Sequence, residues 1–120
     1  MRILVVDDNA ANVEYFADTL ESAGHDVTVE RNGPRGRQRA LAEAFDLIIL
    51  DIQLPGMSGD VVCRDLRHAG RRSPIVALTS AAMPDQIARG TSAGFDAYLT
   101  KPISPSALRD LARRFERKSA

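Results

Sequence analysis

Tryptophan is absent, cysteine occurs once, histidine twice, and neither sign of charge is in excess in this 120-residue chain. A lone Cys63 excludes an intramolecular disulfide and any multi-cysteine metal site. Sixteen Lys and Arg cancel sixteen Asp and Glu, which removes the electrostatic footprint of a nucleic-acid binder or a membrane-surface protein. No apolar run approaches the roughly 18 residues of a membrane span. The N-terminus turns acidic at Asp7-Asp8 after four apolar residues, Ile3 to Val6, too soon for a secretory signal. His25 and His68 lie beside glycines near predicted helix ends, have no metal-ligand partner, and read as surface-loop residues. With no linker, repeat or low-complexity tract, the expectation is one cytoplasmic domain over residues 1–120 with no effector module. A chain of this length buries about two thirds of its unfolded surface and needs no covalent staple.

What is present is an alternation of short apolar runs with longer amphipathic stretches. The runs are Ile3–Val6, Val27–Val29, Leu47–Leu50, Ile75–Leu78 and Ala97–Leu99. Four are continuous and apolar, which suits parallel strands covered on both faces; the second alternates with Asp26, Thr28 and Glu30 and reads as an edge strand. Between them, Val13, Phe16, Ala17 and Leu20 recur at helical spacing before Gly24. Gly36 to Ala44 forms a weaker, basic helix carrying Ala40, Leu41 and Ala44. Val61, Val62 and Leu66 make the stripe of a third, with Ser58 as N-cap and Cys63 as a small buried hydrophobe. Pro84 opens a fourth, which runs to Gly94. A fifth begins at Ser104-Pro105 with Leu108, Leu111, Ala112 and Phe115 inward. Five strands alternating with five helices define an α/β parallel sheet. Gly90 inside the fourth helix costs about 1 kcal/mol relative to alanine; the segment is either a poorly optimised surface helix or one held loosely because it must shift.

The polar residues that interrupt this pattern follow the strands. Asp7 and Asp8 come after the first, Asp51 after the third, Thr79 after the fourth and Lys101 after the fifth. In a parallel sheet all five fall on the carboxyl edge, where open α/β folds bind ligands. Three carboxylates a few ångströms apart repel by about 4 kcal/mol per pair at an effective dielectric near 20. One lysine does not cancel that, so either a proton is held or a divalent cation sits among them. An oxygen-only donor set favours Mg2+ over zinc, and Mg2+ with one or two carboxylates keeps positions for a phosphate.

At these residues the chain resembles the receiver domains of two-component response regulators. The matching stretches are Val6-Asp7-Asp8-Asn9, Leu50 to Gly59, Ala77-Leu78-Thr79-Ser80-Ala81 and Tyr98-Leu99-Thr100-Lys101-Pro102-Ile103, and they span the chain. The Ala81-Ala82-Met83 and Lys101 to Ser104 stretches resemble single-domain cell-cycle receivers and those attached to hybrid kinases. The resemblance implies a flavodoxin-like, doubly wound (βα)5 sheet in the order 2-1-3-4-5. It implies that Asp51 accepts a phosphoryl group from a histidine kinase or a histidine phosphotransfer protein. Asp8, Asp51 and the Gln53 carbonyl would bind Mg2+ directly and Asp7 through water. Lys101 and Thr79 would contact phosphoryl oxygens, Tyr98 would change rotamer with Thr79, and the Lys101–Pro102 peptide would be cis. Output would pass to a downstream protein through the face of the fourth helix, fifth strand and fifth helix, where a phosphorylation-dependent homodimer is also allowed.

Some residues depart from the family. Ser80 stands where alanine is common, Pro84 and Gly90 are unusual in the fourth helix, and Gln53 and Ala81 occupy positions that tune loss of the phosphoryl group. Two other classes compete. A Mg2+-dependent aspartyl-phosphate phosphohydrolase of the haloacid-dehalogenase type needs Asp-x-Asp after one strand, which Asp7-Asp8-Asn9 does not supply. A flavodoxin needs a Ser/Thr/Gly phosphate loop, where this chain has Asp7-Asp8-Asn9-Ala10-Ala11. The expected role is therefore a signalling phosphoacceptor and not a turnover enzyme.

Overall fold

The computed structural model describes residues 1–80 and 93–119. The chain runs β1 (Arg2–Val6), α1 (Ala10–Ser22), β2 (Asp26–Glu30), α2 (Gly33–Ala42), β3 (Leu47–Asp51), α3 (Gly59–His68), β4 (Ile75–Thr79), β5 (Ala97–Thr100) and a C-terminal helix (Pro105–Ser119). The five strands form one parallel sheet in the order β2-β1-β3-β4-β5. The expected fourth helix, from Pro84 through Gly90 to Gly94, lies outside the described residues apart from its last positions, as does Ala81. Of those, Ala93 is buried and Gly94 turns the chain at φ +110°.

The aliphatic runs become β1, β3 and β4 because both of their faces are covered. On one face Leu4, Val6, Ile48, Leu50 and Ile75 pack under Ala40, Val62, Cys63 and Leu66 of α2 and α3. On the other, Ile3, Val5, Leu47, Ile49, Val76 and Leu78 pack under Val13, Phe16 and Leu20 of α1 and Leu108, Leu111, Ala112 and Phe115 of the C-terminal helix. Each large side chain so buried contributes about 1.5–3 kcal/mol. Asn9 caps α1 by accepting from the Asn12 N–H, and Ser104 accepts from the Ala107 N–H at the start of the C-terminal helix.

Several local expectations shift. Helix α2 begins at Gly33 and ends at Ala42, with Asn32 as N-cap and Pro34 in its first turn, so Ala44 lies beyond it. Leu41, and Val61 of the apolar stripe on α3, are exposed at 37% and 39%. Glycines let α2 approach so closely that Gly33 and Gly36 reach the core in place of Leu41. A Cβ on Gly36 would fall 2.7 and 2.9 Å from the two γ-methyls of Val6. Strand β5 is the second sheet edge and only partly covered, while edge strand β2 turns Val29 outward at 39% exposure. Ser58 occupies the N-cap of α3 in extended conformation, yet its side chain makes no capping bond. Nor is His25 a loose loop residue. Its side chain is 7% exposed, Nδ1 lies 3.2 Å from the Met1 amine, and burial first and then that amine lower its pKa.

Candidate functional site

Parallel pairing carries the ends of β1, β3, β4 and β5 to one rim of the sheet. Asp7, directly after β1, has a fully buried side chain, and Asp51, the last residue of β3, is 3% exposed. Asp8 is exposed. The three carboxylates each offer an oxygen within 4.8 Å of the others. From β5, Lys101 Nζ reaches across to Asp51 Oδ2 at 2.6 Å and Asp7 Oδ2 at 3.1 Å. The Lys101–Pro102 peptide is cis.

Each buried carboxylate is oriented by neighbours. The Gln53 N–H donates to Asp51 Oδ1 at 2.8 Å, and the Asn9 N–H donates to Asp7 Oδ1 at 3.0 Å. Asn12 Nδ2 adds a bond to Asp7 Oδ2 at 3.3 Å. Helix α3 is drawn against the site by Gly59, whose missing Cβ leaves room for the Asp51 carbonyl and Ile52 Cα; a methyl there would collide with backbone. Burial holds the Asp51 carboxyl above its ordinary value, against the opposing pull of the Lys101 ammonium and the Gln53 N–H. For Lys101, burial favours the neutral amine, but the bonds to Asp51 and Asp7 outweigh it and raise the ammonium's pKa.

Thr79 ends β4 with 5% exposure, and its carbonyl accepts the Lys101 N–H at 2.8 Å, so the two loops share a backbone bond. Thr79 registers with Thr100 and Ala77 with Tyr98. Side chains paired across parallel strands share a face and alternate along each strand. Tyr98 and Thr79 therefore lie on the same face of neighbouring strands, two positions apart. Tyr98 is half-buried with its ring 5.9 Å from that of Phe95. An open groove of about 400 Å³ beside Lys101, lined by Asn12, Tyr15, Phe16, Pro102 and Ile103, gives access from the side of α1.

All seven singled-out residues thus fall on or behind one rim: Asp7, Asp8, Asp51, Lys101 and the backbone of Gln53 at its centre, Thr79 one bond away and Tyr98 behind it. Sequence reasoning passed over Asn12, Arg31 and the capping role of Asn9. Only Asn9 and Asn12 had a visible signal, an i, i+3 pair opening a helix directly after the acidic pair.

Three carboxylates against one ammonium leave two negative charges uncancelled. The donors are all hard oxygens, so the residues present suit Mg2+ by charge and by ligand type. With such an ion bound, the rim would neutralise an anionic group of tetrahedral shape and hold a nucleophilic carboxylate beneath it.

The sequence profile of the response regulator receiver domain matches residues 3–113, and the chain belongs to that family. Receiver domains are signalling phosphoacceptor domains of two-component systems and generally bind Mg2+ at an acidic pocket. Among relatives, the transcriptional regulatory protein CusR of Escherichia coli K12 is 36% identical over 120 residues, covering all of this chain and 53% of CusR. The sensor protein GacS of Pseudomonas syringae pv. syringae is 40% identical over 112 residues, 89% of this chain and 12% of GacS. Among solved structures, the chemotaxis protein CheY4 of Vibrio cholerae superposes with a TM-score of 0.91 at 28% identity, covering 95% of this chain and 97% of that one. The chain spans about half the length of the transcriptional regulators it matches and a small fraction of the sensor proteins. No helix among the described residues is long and apolar enough to cross a membrane.

Proposed function

We propose that Asp51 is the phosphoacceptor of a Mg2+-dependent transfer from a phosphohistidine on a histidine kinase or phosphotransfer protein. The observation that carries this reading is the buried Asp51 carboxylate in contact with Lys101 and grouped with Asp7 and Asp8. An Asp51 oxygen attacks phosphorus; the O–P bond forms as the P–N bond breaks, and its electron pair returns to the imidazole nitrogen. The product is an acyl phosphate that water later cleaves. Asp7, Asp8, Asp51 and the Gln53 carbonyl would hold Mg2+. The ion supplies charge neutralisation for the transferring oxygens.

The rest falls to this chain's own side chains. Lys101, already within 2.6 Å of Asp51, exchanges that carboxylate oxygen for a phosphoryl oxygen and keeps its charge in place. The Thr79 hydroxyl donates to another phosphoryl oxygen and draws its loop inward. Tyr98, on the same face, follows that movement and carries it to the surface around β5 and the C-terminal helix. That surface selects a downstream protein or a second copy of the domain, with a coupling of typically 1–3 kcal/mol. The test is incubation with acetyl phosphate and Mg2+ followed by mass spectrometry of the intact protein. Wild type gains one phosphoryl adduct; Asp51→Asn gains none. A persistent acid-stable adduct on Asp51→Asn would move the acceptor elsewhere.

A further inference from the structure

We propose that Arg31 is a positioning residue for the phosphodonor, an inference that rests on Asp51 being the acceptor. Arg31 follows β2 and so joins the same rim as Asp7, Asp8 and Asp51. Its Nη2 donates to the main-chain carbonyl of Asp8 at 3.0 Å. That bond places the guanidinium one residue's reach plus one hydrogen bond from the acid cluster, inside the roughly 10 Å over which charges act at 0.1 M salt.

Two features keep it there. The Asp7 N–H donates to the Glu30 carbonyl at 3.2 Å, tying the end of β2 to the acidic strand end. Gly33, two residues on, lies so close to the loop after β3 that a Cβ would fall 2.9 Å from both Cβ and the carbonyl oxygen of Met57. The loop bearing Arg31 is thus clamped between the loops that carry Asp8 and Gln53.

Its charge is not spent within the fold. The neighbouring Glu30 carboxylate is occupied by Arg39, at 2.8 Å to Nη2 and 2.9 Å to Nε. Among the described residues no carboxylate pairs with Arg31, and the Asp8 carbonyl is the one group it bonds. Arg31 is exposed, and of its five N–H donors most are left unused among the described residues. Lys101 is the cation beneath the transferring group, while Arg31 is the cation an approaching anion meets first. It lowers the barrier that an acid cluster presents to a phosphorylated donor.

This role carries a signature of opposite signs that a loop prop lacks. A cation at the rim favours the anionic donor and disfavours the divalent cation. Arg31→Gln keeps a donor for the Asp8 carbonyl and removes the charge; Arg31→Lys keeps the charge. With saturating Mg2+, the acetyl phosphate concentration giving half-maximal labelling rate rises about threefold to tenfold in Arg31→Gln and returns towards wild type in Arg31→Lys. Mg2+ alone, titrated by calorimetry, binds about threefold to tenfold more tightly to Arg31→Gln. Both differences shrink when salt is raised from about 50 to about 300 mM. If Arg31→Gln weakens Mg2+ binding along with labelling, or changes neither, the steering role is overturned. Loss of label in wild type, or label that survives Asp51→Asn, overturns the phosphoacceptor reading itself and the steering role with it.

Discussion

At the amino-terminal rim of the sheet, Arg67 at the end of α3 donates to the carbonyls of Gly94, Arg71 and Ser73 and to Asp96 Oδ2, all within 2.8–3.1 Å. Asp96 Oδ2 also accepts the Ile75 N–H at 2.8 Å, and the Asp96 N–H returns a 2.8 Å bond to the Ile75 carbonyl. The entry to β4 and β5 is thereby closed around one cation with its acceptors matched. At the carboxyl-terminal rim the balance is reversed. Asp7 and Asp51 are more deeply buried than Arg67, whose side chain is 23% exposed, yet the two share one ammonium beside a third carboxylate, Asp8. Matched charge fixes a strand in register; unmatched charge under a common rim keeps a site ready for ions from solution. One sheet therefore holds a structural end and a reactive end, and the difference lies in the count of partners rather than in the residue types.

Breaking the matched end has the largest effect on stability. Arg67→Ala strips the carbonyls of Gly94 and Ser73 and the Asp96 carboxylate of their shared donor. It lowers unfolding free energy by about 2–4 kcal/mol. Since the acid cluster is at the far rim, Mg2+ titration of the folded variant gives the wild-type affinity. Urea denaturation with that titration checks both halves; a normal midpoint, or lost metal binding in folded protein, contradicts the division of labour.

The two ends differ in how much of them can be read from the chain. The reactive rim was legible because Asp7, Asp8, Asp51, Thr79 and Lys101 each follow an aliphatic run, and parallel topology sends every such position to one edge. The structural rim was not. No periodicity tells where a long guanidinium on an amphipathic helix will reach, and Arg67 sits in the basic last turn that a helix dipole alone would explain. Likewise Arg31 reads as a loop charge until the folded β2–α2 turn sets it against Asp8. Burial was predicted well where both sheet faces are covered and poorly at the margins. Val29, Leu41 and Val61 are apolar at helical or strand spacing but exposed, and in α2 glycine at positions 33 and 36 supplies the close approach in place of Leu41.

A smaller effect, of opposite sign, is expected at the reactive rim. Asp8→Asn removes one of three mutually repelling charges, so the metal-free protein gains stability. The gain is held to about 0.5–1 kcal/mol by the exposure of Asp8, which lets water and salt screen the repulsion. The melting temperature in EDTA rises by about 2–4 °C, whereas the Mg2+-dependent rise seen in wild type disappears. A lower metal-free melting temperature would mean that Asp8 is a structural partner and that the rim is not overcharged.

The smallest effect is a change of slope with pH, and its sign follows from Asp51. Burial raises the folded-state pKa of this carboxyl above the ordinary 3.8, while Lys101 and the Gln53 N–H pull it back and keep the effect modest. A carboxyl with a raised folded pKa binds its proton more tightly in the folded state. Its contribution therefore favours folding below the ordinary carboxylate range and is lost as pH rises through the raised folded value. Asp51→Asn carries no titrating proton, and Lys101 keeps its 3.1 Å contact with Asp7. In EDTA, the stability of wild type relative to Asp51→Asn should fall as pH climbs from the ordinary carboxylate value through the raised one, then level off. Parallel urea midpoints for the two proteins across that window would show that Asp51 is as well matched as Asp96, and would erase the contrast between the rims.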